Sequence, residues 1–401
     1  MKRLFLGLGA LLMATPSLAA ITVVNDAASL QSALNTAGSG DVILFANNIA
    51  ANVTASRGNI IISGSGYTLT PASSGLPTLI LNAPGITVEN VVISGNNTGF
   101  GIELEAGSDA TTVNDVTFTG NNAAIFINSA DGATNLKILN DFFGQNSVGI
   151  SFSFSGTSHN TLINSSSFQA NGYGIFANSS AAINDVKIIS TTFEANVTGI
   201  HDFAGSNENW SIRSSRIEDN TQNGIMLFPK NLNGFTIDNT VFDHNTTNGL
   251  AIISTPGSTF KNIQIFGSAF SNNVGNGILL ENNSSAISNV VIICNTFTTN
   301  TVAGLDAVGA QTSSLTVSGN SFSGNTAAGI DNEVLSTLDA SQNYWGSPTG
   351  PTDPGNPGGA GDKALGLVTF VPFQTALQCV NTAPTHNPPC STPTPAPVIL
   401  N

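Results

Sequence analysis

Three acidic residues of this sequence recur at one position of a repeat and could gather a cation. Glu194, Glu218 and Asp243 each follow a large apolar residue directly, and they are about 25 residues apart. If these positions stack in the fold, the three carboxylates either raise one another's pKa or recruit a cation. Ligands that are all oxygen favour Ca²⁺ over transition metals. The column is therefore a candidate Ca²⁺ site and a candidate for catalysis; the alternative is a solvated column without a ligand.

Two arginines and three large residues are candidates for ligand binding. Arg213 shares a repeat position with Asp238, and Arg216 precedes Glu218 by two residues, so both arginines could instead form surface ion pairs. Another repeat position holds Phe176, His201 and Met226, and the alternation of a strand turns it outward. Phe176 and Met226, with Leu279 of the same column, predict an apolar patch, either a sugar platform or an interface, unless a neighbouring loop covers them.

Two adjacent acid–histidine pairs give weaker evidence for a catalytic site. His201-Asp202 and Asp243-His244 are sequential neighbours, which point to opposite faces of a strand, so we expect exposed polar residues rather than catalytic dyads. The sequence contains no nucleophile elbow, phosphate-binding loop or zinc motif.

A repeat of about 25 residues must position all of these side chains. Its pattern is apolar-x-apolar, four small polar residues, a large apolar anchor, two variable residues, Asn, and then Gly followed by Ile or Leu. Alternation with a period of two predicts strands, and no segment between the strands has helical spacing. The anchor positions are Ile93, Phe118, Phe143, Phe168, Phe193, Ile217, Phe242, Phe270, Phe297 and Phe322.

Three short strands per repeat describe one turn of a parallel β-coil, which buries its apolar face only by stacking on the next coil. The Asn column (Asn96, Asn121, Asn146, Asn171, Asn196, Asn220, Asn245, Asn273, Asn300 and Asn325) predicts one line of corners in the left-handed region, with the amides bonded in a ladder. The Gly column from Gly149 to Gly329 predicts a second corner with positive φ. Two insertions, after Leu250 and after Ile278, fall at one corner of adjacent coils.

Both ends carry sequences that could cover the open core. Asp26 is a candidate N-cap, and Leu30, Ala33 and Leu34 have helical spacing, which predicts a short capping helix. Ser29–Leu34 followed by Gly40-Asp41-Val42-Ile43 resembles the start of right-handed parallel β-helix proteins of the pectin-lyase-like superfold. The segment 343–351, Asn-Tyr-Trp-Gly-Ser-Pro-Thr-Gly-Pro, is similar to the closing segment of many such secreted proteins.

The resemblance covers residues 20–378 and implies the fold but no activity. Its enzymes act on acidic or neutral polysaccharides, yet this sequence lacks the Asp-His signature of pectate lyases. It also lacks the Asn-x-Asp and Gly-His-Gly motifs of the related hydrolases and the Asp-Pro-His-Glu run of uronan epimerases. These absences make an enzyme the less favoured interpretation.

The leader and the tail complete the domain organisation. Met1–Ala20 has a basic start, an apolar stretch and a small-x-small cleavage site, which predicts export. We expect a signal peptide at 1–19, an N-terminal cap at 20–48, the β-helix at 49–345, a C-terminal cap at 346–378 and a Pro/Thr-rich tail at 379–401. In an oxidising compartment Cys379 and Cys390 could form a disulfide, which leaves Cys294 as a free thiol.

The sequence therefore predicts an all-β protein: a single-stranded right-handed parallel β-helix of about twelve coils with an N-terminal capping helix. Ten Lys and Arg against 24 Asp and Glu, a net charge of −14, argue against nucleic acid. No later apolar run could span a membrane. We expect a secreted rod, extracellular or periplasmic, that binds polysaccharide or cell-surface glycan without catalysis and without a cofactor other than a Ca²⁺ ion. The alternatives are a divergent polysaccharide lyase or glycoside hydrolase, and a structural or adhesive scaffold.

Overall fold

Each repeat forms one coil of three short parallel strands. The computed structural model describes residues 19–377 except 129–132, 154, 179–180, 284–285, 310–313 and 335. Its strands stack into three long sheets of 13, 12 and 14 strands, here called the first, second and third sheet in the order in which a coil visits them. Strands about 25 residues apart are neighbours and pair in parallel, for example Phe143 with Phe168. The predicted all-β parallel β-helix of about twelve coils is confirmed.

The first sheet is the one whose strands lengthen in the middle of the rod. Its strands are Ile21–Val24, Val42–Phe45, Ile61–Ser63, Thr87–Glu89, Thr112–Asn114, Lys137–Leu139, Thr157–Asn164, Ala182–Ile189, Ser206–Arg213, Asn231–Asp238, Thr259–Phe266, Ala286–Ile293 and Leu315–Ser318. The second sheet contains the anchors and consists of Ile49–Ala50, Thr68–Thr70, Val92–Ser94, Thr117–Thr119, Phe142–Gly144, Ser167–Gln169, Thr192–Glu194, Arg216–Glu218, Val241–Asp243, Ala269–Ser271, Thr296–Thr298 and Ser321–Ser323.

The third sheet begins after the Asn corner of each coil. Its strands are Val53–Ala55, Leu79–Leu81, Phe100–Leu104, Ala123–Ile127, Val148–Phe152, Tyr173–Ala177, Thr198–Asp202, Ile225–Leu227, Leu250–Ser254, Ile278–Asn282, Ala303–Gly309, Ala328–Asn332, Gly361–Gly366 and Pro351–Thr352. A small fourth sheet pairs Leu338–Asp339 with Val368–Thr369.

The core is a set of stacked columns, one residue per coil. The anchor phenylalanines are fully buried, and their rings stack nearly parallel. Ring centroids are 4.4 Å apart between Phe143 and Phe168, at an interplanar angle of 2°. The spacing matches the distance between parallel strands, so successive coils with a Phe anchor stack ring on ring. Ile217 interrupts the stack between Phe193 and Phe242. Trp345 is the last ring, 5.3 Å from Phe322.

The predicted Asn ladder exists, but not at left-handed residues. From Asn121 to Asn300 each side-chain amide donates to the Asn Oδ1 of the next coil, as from Asn146 to Asn171 at 3.1 Å. Each also donates to a backbone carbonyl, for example from Asn146 Nδ2 to the carbonyl oxygen of Phe118. Asn96 is exposed and does not join the ladder. The positive φ belongs to the preceding residue, such as Ala170 at 54°, so the predicted position of the left-handed residue was wrong by one.

The Gly column has a different cause from the one predicted. None of Gly149, Gly174, Gly199, Gly224, Gly249, Gly277, Gly304 and Gly329 has a positive φ. A methyl group at Gly174 would instead lie 2.5 Å from the carbonyl oxygen of Gly199 and 2.7 Å from the ring of Phe193. Glycine is needed because the third sheet passes directly over the anchor stack, where no side chain fits.

The N-terminal helix closes the first coil as predicted. Helix α1, Ala27–Thr36, begins at Asp26, whose carboxylate accepts from the backbone N–H of Ser29 while the Ser29 hydroxyl caps in return. Its buried residues are Leu30, Ala33 and Leu34. The segment 20–48 also supplies two strands to the first sheet, so it is part of the β-helix as well as its cap.

The C-terminal segment closes the other end by ending two columns of hydrogen bonds. Asp362 accepts from the amide and the backbone N–H of Asn325, the last rung of the Asn ladder, at 2.7 and 3.0 Å. Asn343 ends a second ladder, which the sequence analysis did not foresee and which runs through residues such as Thr240, Ser268 and Asn295. The last member of a stacked column has donors that no further coil satisfies, and leaving them buried without a partner would cost free energy. Asp362 and Asn343 accept from these donors at the end of the rod.

One cysteine contradicts the sequence analysis. Cys294 is disulfide-bonded, so the expectation of a free thiol was wrong. With three cysteines in the chain, a bonded Cys294 and a Cys379–Cys390 bridge are alternatives within one molecule. Cys379 and Cys390 lie outside the described residues.

Helix α1, ten residues long, is the only helix in the described ranges, and nothing there meets the length and hydropathy of a membrane-spanning helix.

Candidate functional site

The predicted carboxylate column forms on the second sheet. Glu194 and Glu218 are register partners, as are Glu218 and Asp243. Each lies next to a buried anchor and therefore points away from the core. The repeat thus brings the three acidic residues together in the order that their spacing predicted.

These carboxylates are held by different partners rather than around one centre. Glu218 forms an ion pair with Arg216, with its Oε1 3.0 Å from Arg216 Nε. Asp243 accepts from Ser271 Oγ at 2.6 Å and from Asn272 Nδ2 at 2.9 Å, and its Oδ2 lies 2.8 Å from His244 Nδ1. Burial raises the pKa of Asp243, but these donors outweigh it and hold that pKa below its usual value.

The column does not assemble a metal site. No group of three or more His, Cys, Asp or Glu in the described part of the chain is placed to hold a metal ion. Ca²⁺ needs six to eight oxygen ligands around one point. The Ca²⁺ site at Glu194, Glu218 and Asp243 therefore gains no support from this geometry, and it stays a prediction.

The two candidate arginines lie on different sheets and are engaged by acidic partners. Arg213, on the first sheet, donates through Nη2 to Asp238 at 2.8 Å, and Arg216, on the second, pairs with Glu218. Neither faces the third sheet, where Phe176, His201 and Met226 lie. The five predicted ligand-binding residues therefore do not form one site.

Phe176, His201 and Met226 do form a continuous outward column on the third sheet. Phe176 pairs in register with His201, and His201 with Met226. All three side chains are partly exposed, in contrast to the buried residues between them. The column therefore faces outward as expected, and its role in ligand binding stays a prediction.

The patch is larger and more aromatic than the sequence analysis indicated. Five side chains form what is here called the aromatic cluster: Tyr173, Phe176, His201, Phe203 and Phe228. The ring of His201 lies 5.0 Å from that of Tyr173 and 4.3 Å from that of Phe203. Phe203 in turn meets Phe228 at 5.4 Å, edge to face. Three successive coils thus present one surface of partly exposed rings.

His201 is an uncharged member of this cluster. Neither ring nitrogen has a hydrogen-bond partner among the described residues, although both are shielded from solvent. Burial lowers the pKa of His201 to about 4. At neutral pH the ring is therefore neutral and behaves as an aromatic surface with two polar atoms.

A groove opens beside the cluster. Its walls are Phe203, Phe228, Lys230 and the corner Thr255–Ser258, and its volume is about 440 Å³. The corner is the insertion predicted after Leu250, and it forms a turn between the third and first sheets. The second predicted insertion, after Ile278, includes residues 284–285, outside the described ranges. An extra loop beside exposed rings is typical of a binding site.

Acidic residues flank the same column at both ends. In one direction it continues to Glu103, and in the other to Asp306 and Asp331. Burial, together with Asp331, Glu333 and Glu281 nearby, raises the pKa of Asp306 to about 6. Burial likewise raises the pKa of Glu103, whose Oε1 accepts from Asn128 at 2.7 Å.

Sequence reasoning missed Tyr173, Phe203 and Phe228. A signal was present: Phe203 and Phe228 each follow the outward column by two residues on adjacent coils, so they share its face. It also placed Asp202 wrongly as an exposed residue. Asp202 is fully buried, and its carboxylate accepts from the backbone N–H of Ala204 at 2.9 Å and from the Asn207 amide.

Comparison with known proteins agrees with the fold. The chain matches the family described as right handed beta helix region over residues 140–297 and 212–344, together about half of the sequence. Residues 31–210 match a family described as periplasmic copper-binding protein (NosD). No curated protein matches the sequence. The match to a family described as periplasmic agrees with the predicted extracellular or periplasmic localisation.

Solved structures with this fold have little sequence in common with the chain. The surface adhesin PfbA of Streptococcus pneumoniae superposes with a TM-score of 0.60 at 14% identity, covering 76% of this chain and 88% of that one. A double mutant of the periplasmic alginate epimerase AlgG gives 0.54 at 14% identity, covering 80% and 82%. Polygalacturonase from Erwinia carotovora ssp. carotovora gives 0.51 at 12% identity, covering 82% and 94%.

Copper is named in the description of one matching family, but the residues that the structure describes offer no group of donors for it. The described residues contain no cluster of three metal-ligating side chains. Of the three Met residues, Met1 and Met13 belong to the predicted leader and only Met226 lies on the rod. The residues present therefore do not fit a copper centre.

Proposed function

Because this chain belongs to the family of right-handed parallel β-helix proteins, we propose that it is a secreted rod that binds extracellular polysaccharide or cell-surface glycan without cleaving it. The binding surface is the aromatic cluster on the third sheet together with the groove beside it. The single observation that carries this proposal is the row of partly exposed rings at Tyr173, Phe176, His201 and Phe203.

Aromatic rings suit sugars for a physical reason. The face of a ring carries partial negative charge, and it attracts the weakly positive C–H groups that cover one side of a pyranose. Rings held rigidly on a sheet lose little conformational entropy when they bind. The groove adds polar groups, because Lys230 and the corner Thr255–Ser258 line it beside Phe203 and Phe228. Hydrogen bonds at this edge would orient the sugars that the rings hold.

The carboxylate column on the second sheet gives less support to cleavage. Cleavage by acid–base catalysis needs a carboxyl that is protonated near neutral pH and a second one that is ionised. Glu218 is held by Arg216, and the low pKa of Asp243 keeps that carboxyl ionised. The ion pair at Glu218 and the low pKa of Asp243 both disfavour the role of a general acid for these two residues.

A divergent glycoside hydrolase is the second candidate, and one observation on the third sheet favours it. Asp306 has a pKa raised to about 6 and lies in register with Asp331, on the face that carries the aromatic cluster. Such a pair could supply one protonated and one ionised carboxyl. This alternative needs Asp306 for product formation, whereas the binding proposal does not.

A glycan array followed by affinity electrophoresis tests the proposal. We expect the wild-type protein to be retained by at least one polysaccharide, and the retention to be lost in Phe176→Ala and Phe203→Ala. The matched control is Tyr67→Ala, because Tyr67 is also an exposed aromatic residue but lies outside the cluster. Equal retention of all four proteins would refute the assignment of the surface.

Assays of reducing ends and of unsaturated uronates in the same samples separate binding from catalysis. We expect retention without product. Product that disappears in Asp306→Asn would support the hydrolase instead, and product that disappears in Glu218→Gln would support the carboxylate column. If no polysaccharide retains the protein, the remaining candidate is the structural or adhesive scaffold.

A further inference from the structure

The charges around the aromatic cluster restrict the kind of glycan that it can hold. Resting on the binding function proposed above, we infer that the ligand is an uncharged polysaccharide, without uronate, sulfate or phosphate groups, that lies along the outward column of the third sheet.

The outward column is uncharged in its middle and acidic at both ends. From one end to the other, register pairing gives the order Glu103, Phe126, Ser151, Phe176, His201, Met226, Ala251, Leu279, Asp306 and Asp331. His201 is neutral at pH 7, because burial lowers its pKa to about 4. No Lys or Arg occurs in this column between Glu103 and Asp331.

The uncharged stretch is long enough for several sugar units. Phe126 and Leu279 are six coils apart, and strands in a sheet are about 4.8 Å apart, so the stretch is roughly 29 Å long. Phe126 adds another ring contact near its start, since its ring stacks on Phe100 at 3.9 Å. The middle of the stretch is the aromatic cluster. A chain-like ligand therefore fits this face better than a single small molecule does.

The ends of the stretch would repel an anionic polymer. The carboxylates of Asp331, Glu333 and Glu281 already interact unfavourably with the carboxylate of Asp306. At the other end, Glu105 has the same effect on Glu103. A polyuronate carries one negative charge per sugar. If it bound along the column, its carboxylates would lie near the acidic side chains at each end, on a surface that is partly shielded from water, and the like charges would repel each other.

The available positive charge is too small to reverse this effect. Lys230 is the cation that lines the groove. Arg213 and Arg216, the candidate anion-binding residues of the sequence analysis, are neutralised by Asp238 and Glu218 on the other two sheets. The whole sequence has a net charge of −14, which adds long-range repulsion for any polyanion. The protein must then recognise its ligand through ring stacking and hydrogen bonds, and an uncharged sugar chain can form both.

Affinity electrophoresis with polymers that differ in charge tests this inference. The probes are a neutral β-glucan, a galactomannan and a xylan, against sodium alginate, polygalacturonate and a sulfated galactan. We expect at least one neutral polymer to retard the wild-type protein and no anionic polymer to do so at low or high salt. We also expect Phe203→Ala to lose the retardation by the neutral polymer, whereas Tyr67→Ala keeps it.

The double variant Asp306→Asn with Asp331→Asn tests the cause. Removing two negative charges should raise the ratio of retardation by polygalacturonate to retardation by the neutral polymer, most clearly at low salt, where repulsion is least screened. An unchanged ratio would overturn the electrostatic argument.

The outcomes separate this inference from the function on which it rests. Retardation of the wild type by an anionic polymer, lost in Phe203→Ala, would overturn the uncharged ligand and leave the binding function intact. No retardation by any of the six polymers would overturn both.

Discussion

Two sets of aromatic rings, one inside the rod and one outside, are built by the same repeat but differ in every physical respect. The inner stack is the column of anchors from Phe118 to Phe322, whose stacked rings are fully buried and within about 11° of parallel. The aromatic cluster on the third sheet is partly exposed, and its rings meet at angles from 32° to 85°. The inner stack repeats along the rod, whereas the cluster occurs on three coils only.

The difference separates what builds the rod from what the rod presents. A residue that recurs on every coil satisfies a packing requirement, because each new coil must cover the last one. A residue that occurs on a few coils, and faces solvent, has no such requirement. The inner stack therefore explains the fold, while the cluster is the better candidate for function.

The largest effect should follow from a charge placed inside the rod. Ile188 is fully buried in a column of the first sheet. Ile188→Asp puts a carboxylate there without a partner, and we expect it to destabilise the protein by about 4 kcal/mol or more. Lys187→Asp is the matched control, because Lys187 is the exposed neighbour on the same strand. Chemical denaturation measures both, and equal midpoints for Ile188→Asp and wild type would contradict the inward assignment.

A ring removed from the inner stack should cost nearly as much. Phe168 is stacked between Phe143 and Phe193, at 4.4 and 4.7 Å. Phe168→Ala leaves a cavity between two rings that the backbone holds apart, and we expect a loss of about 4 kcal/mol in the free energy of unfolding. Phe203→Ala, which removes a ring of the aromatic cluster, should cost about 1 kcal/mol. If the two variants lose the same stability, the distinction between inner stack and outer cluster fails.

Asp202, the buried acidic residue next to His201, should make the stability of the protein depend on pH. Burial raises the pKa of Asp202 to about 7 from an ordinary value of 3.8. Between these pH values the folded state keeps a proton that the unfolded state has lost, so stability falls as pH rises from about 4 to 7. Three pKa units correspond to a loss on the order of 4 kcal/mol.

Asp202→Asn should remove this part of the pH dependence. Asp141, Asp306 and Glu103 also have raised pKa values, but they are present in both proteins and cancel in the difference. The measurement is the free energy of unfolding of each protein at pH 4 and pH 7. A constant difference between wild type and Asp202→Asn across this range would show that Asp202 is not buried as described.

The smallest effect should come from calcium. Glu194, Glu218 and Asp243 point away from the core, but partners such as Arg216 and Ser271 already engage Glu218 and Asp243. A ligand raises stability only when it binds the folded state. We therefore expect millimolar Ca²⁺ to leave the melting temperature of the wild type unchanged. A clear rise that Glu218→Gln abolishes would restore the metal site.

Features that recur were predictable from the sequence. The parallel coil, the anchors and most of the Asn ladder followed from ten occurrences of one pattern, since a stacked fold repeats its contacts. The physical reason for a column was harder to infer. Gly174 is required by the carbonyl of Gly199 and the ring of Phe193, and spacing alone does not distinguish such crowding from a turn.

Features that occur once were not predictable in this way. Asp202 occupies a core position that is apolar on the neighbouring coils, where Ala177 and Leu227 lie. Its carboxylate is buried with a hydrogen bond from the nearby Asn207 amide, which the repeat does not predict. The disulfide of Cys294 was not predicted either, because its position carries small residues on the other coils. The aromatic cluster was predicted only in part. Its rings come from two outward positions and from the strand edge, and the prediction rested on one of these positions.

The most direct test of the whole account is a calorimetric titration of wild type, Phe203→Ala and Tyr67→Ala with a neutral oligosaccharide taken from the polymer that retards the wild type. The account predicts that Phe203→Ala weakens binding at least about tenfold, which corresponds to about 1.4 kcal/mol, while Tyr67→Ala binds as the wild type does and all three proteins keep similar melting temperatures. Identical affinities for wild type and Phe203→Ala would contradict the claim that the aromatic cluster is the functional surface of this rod.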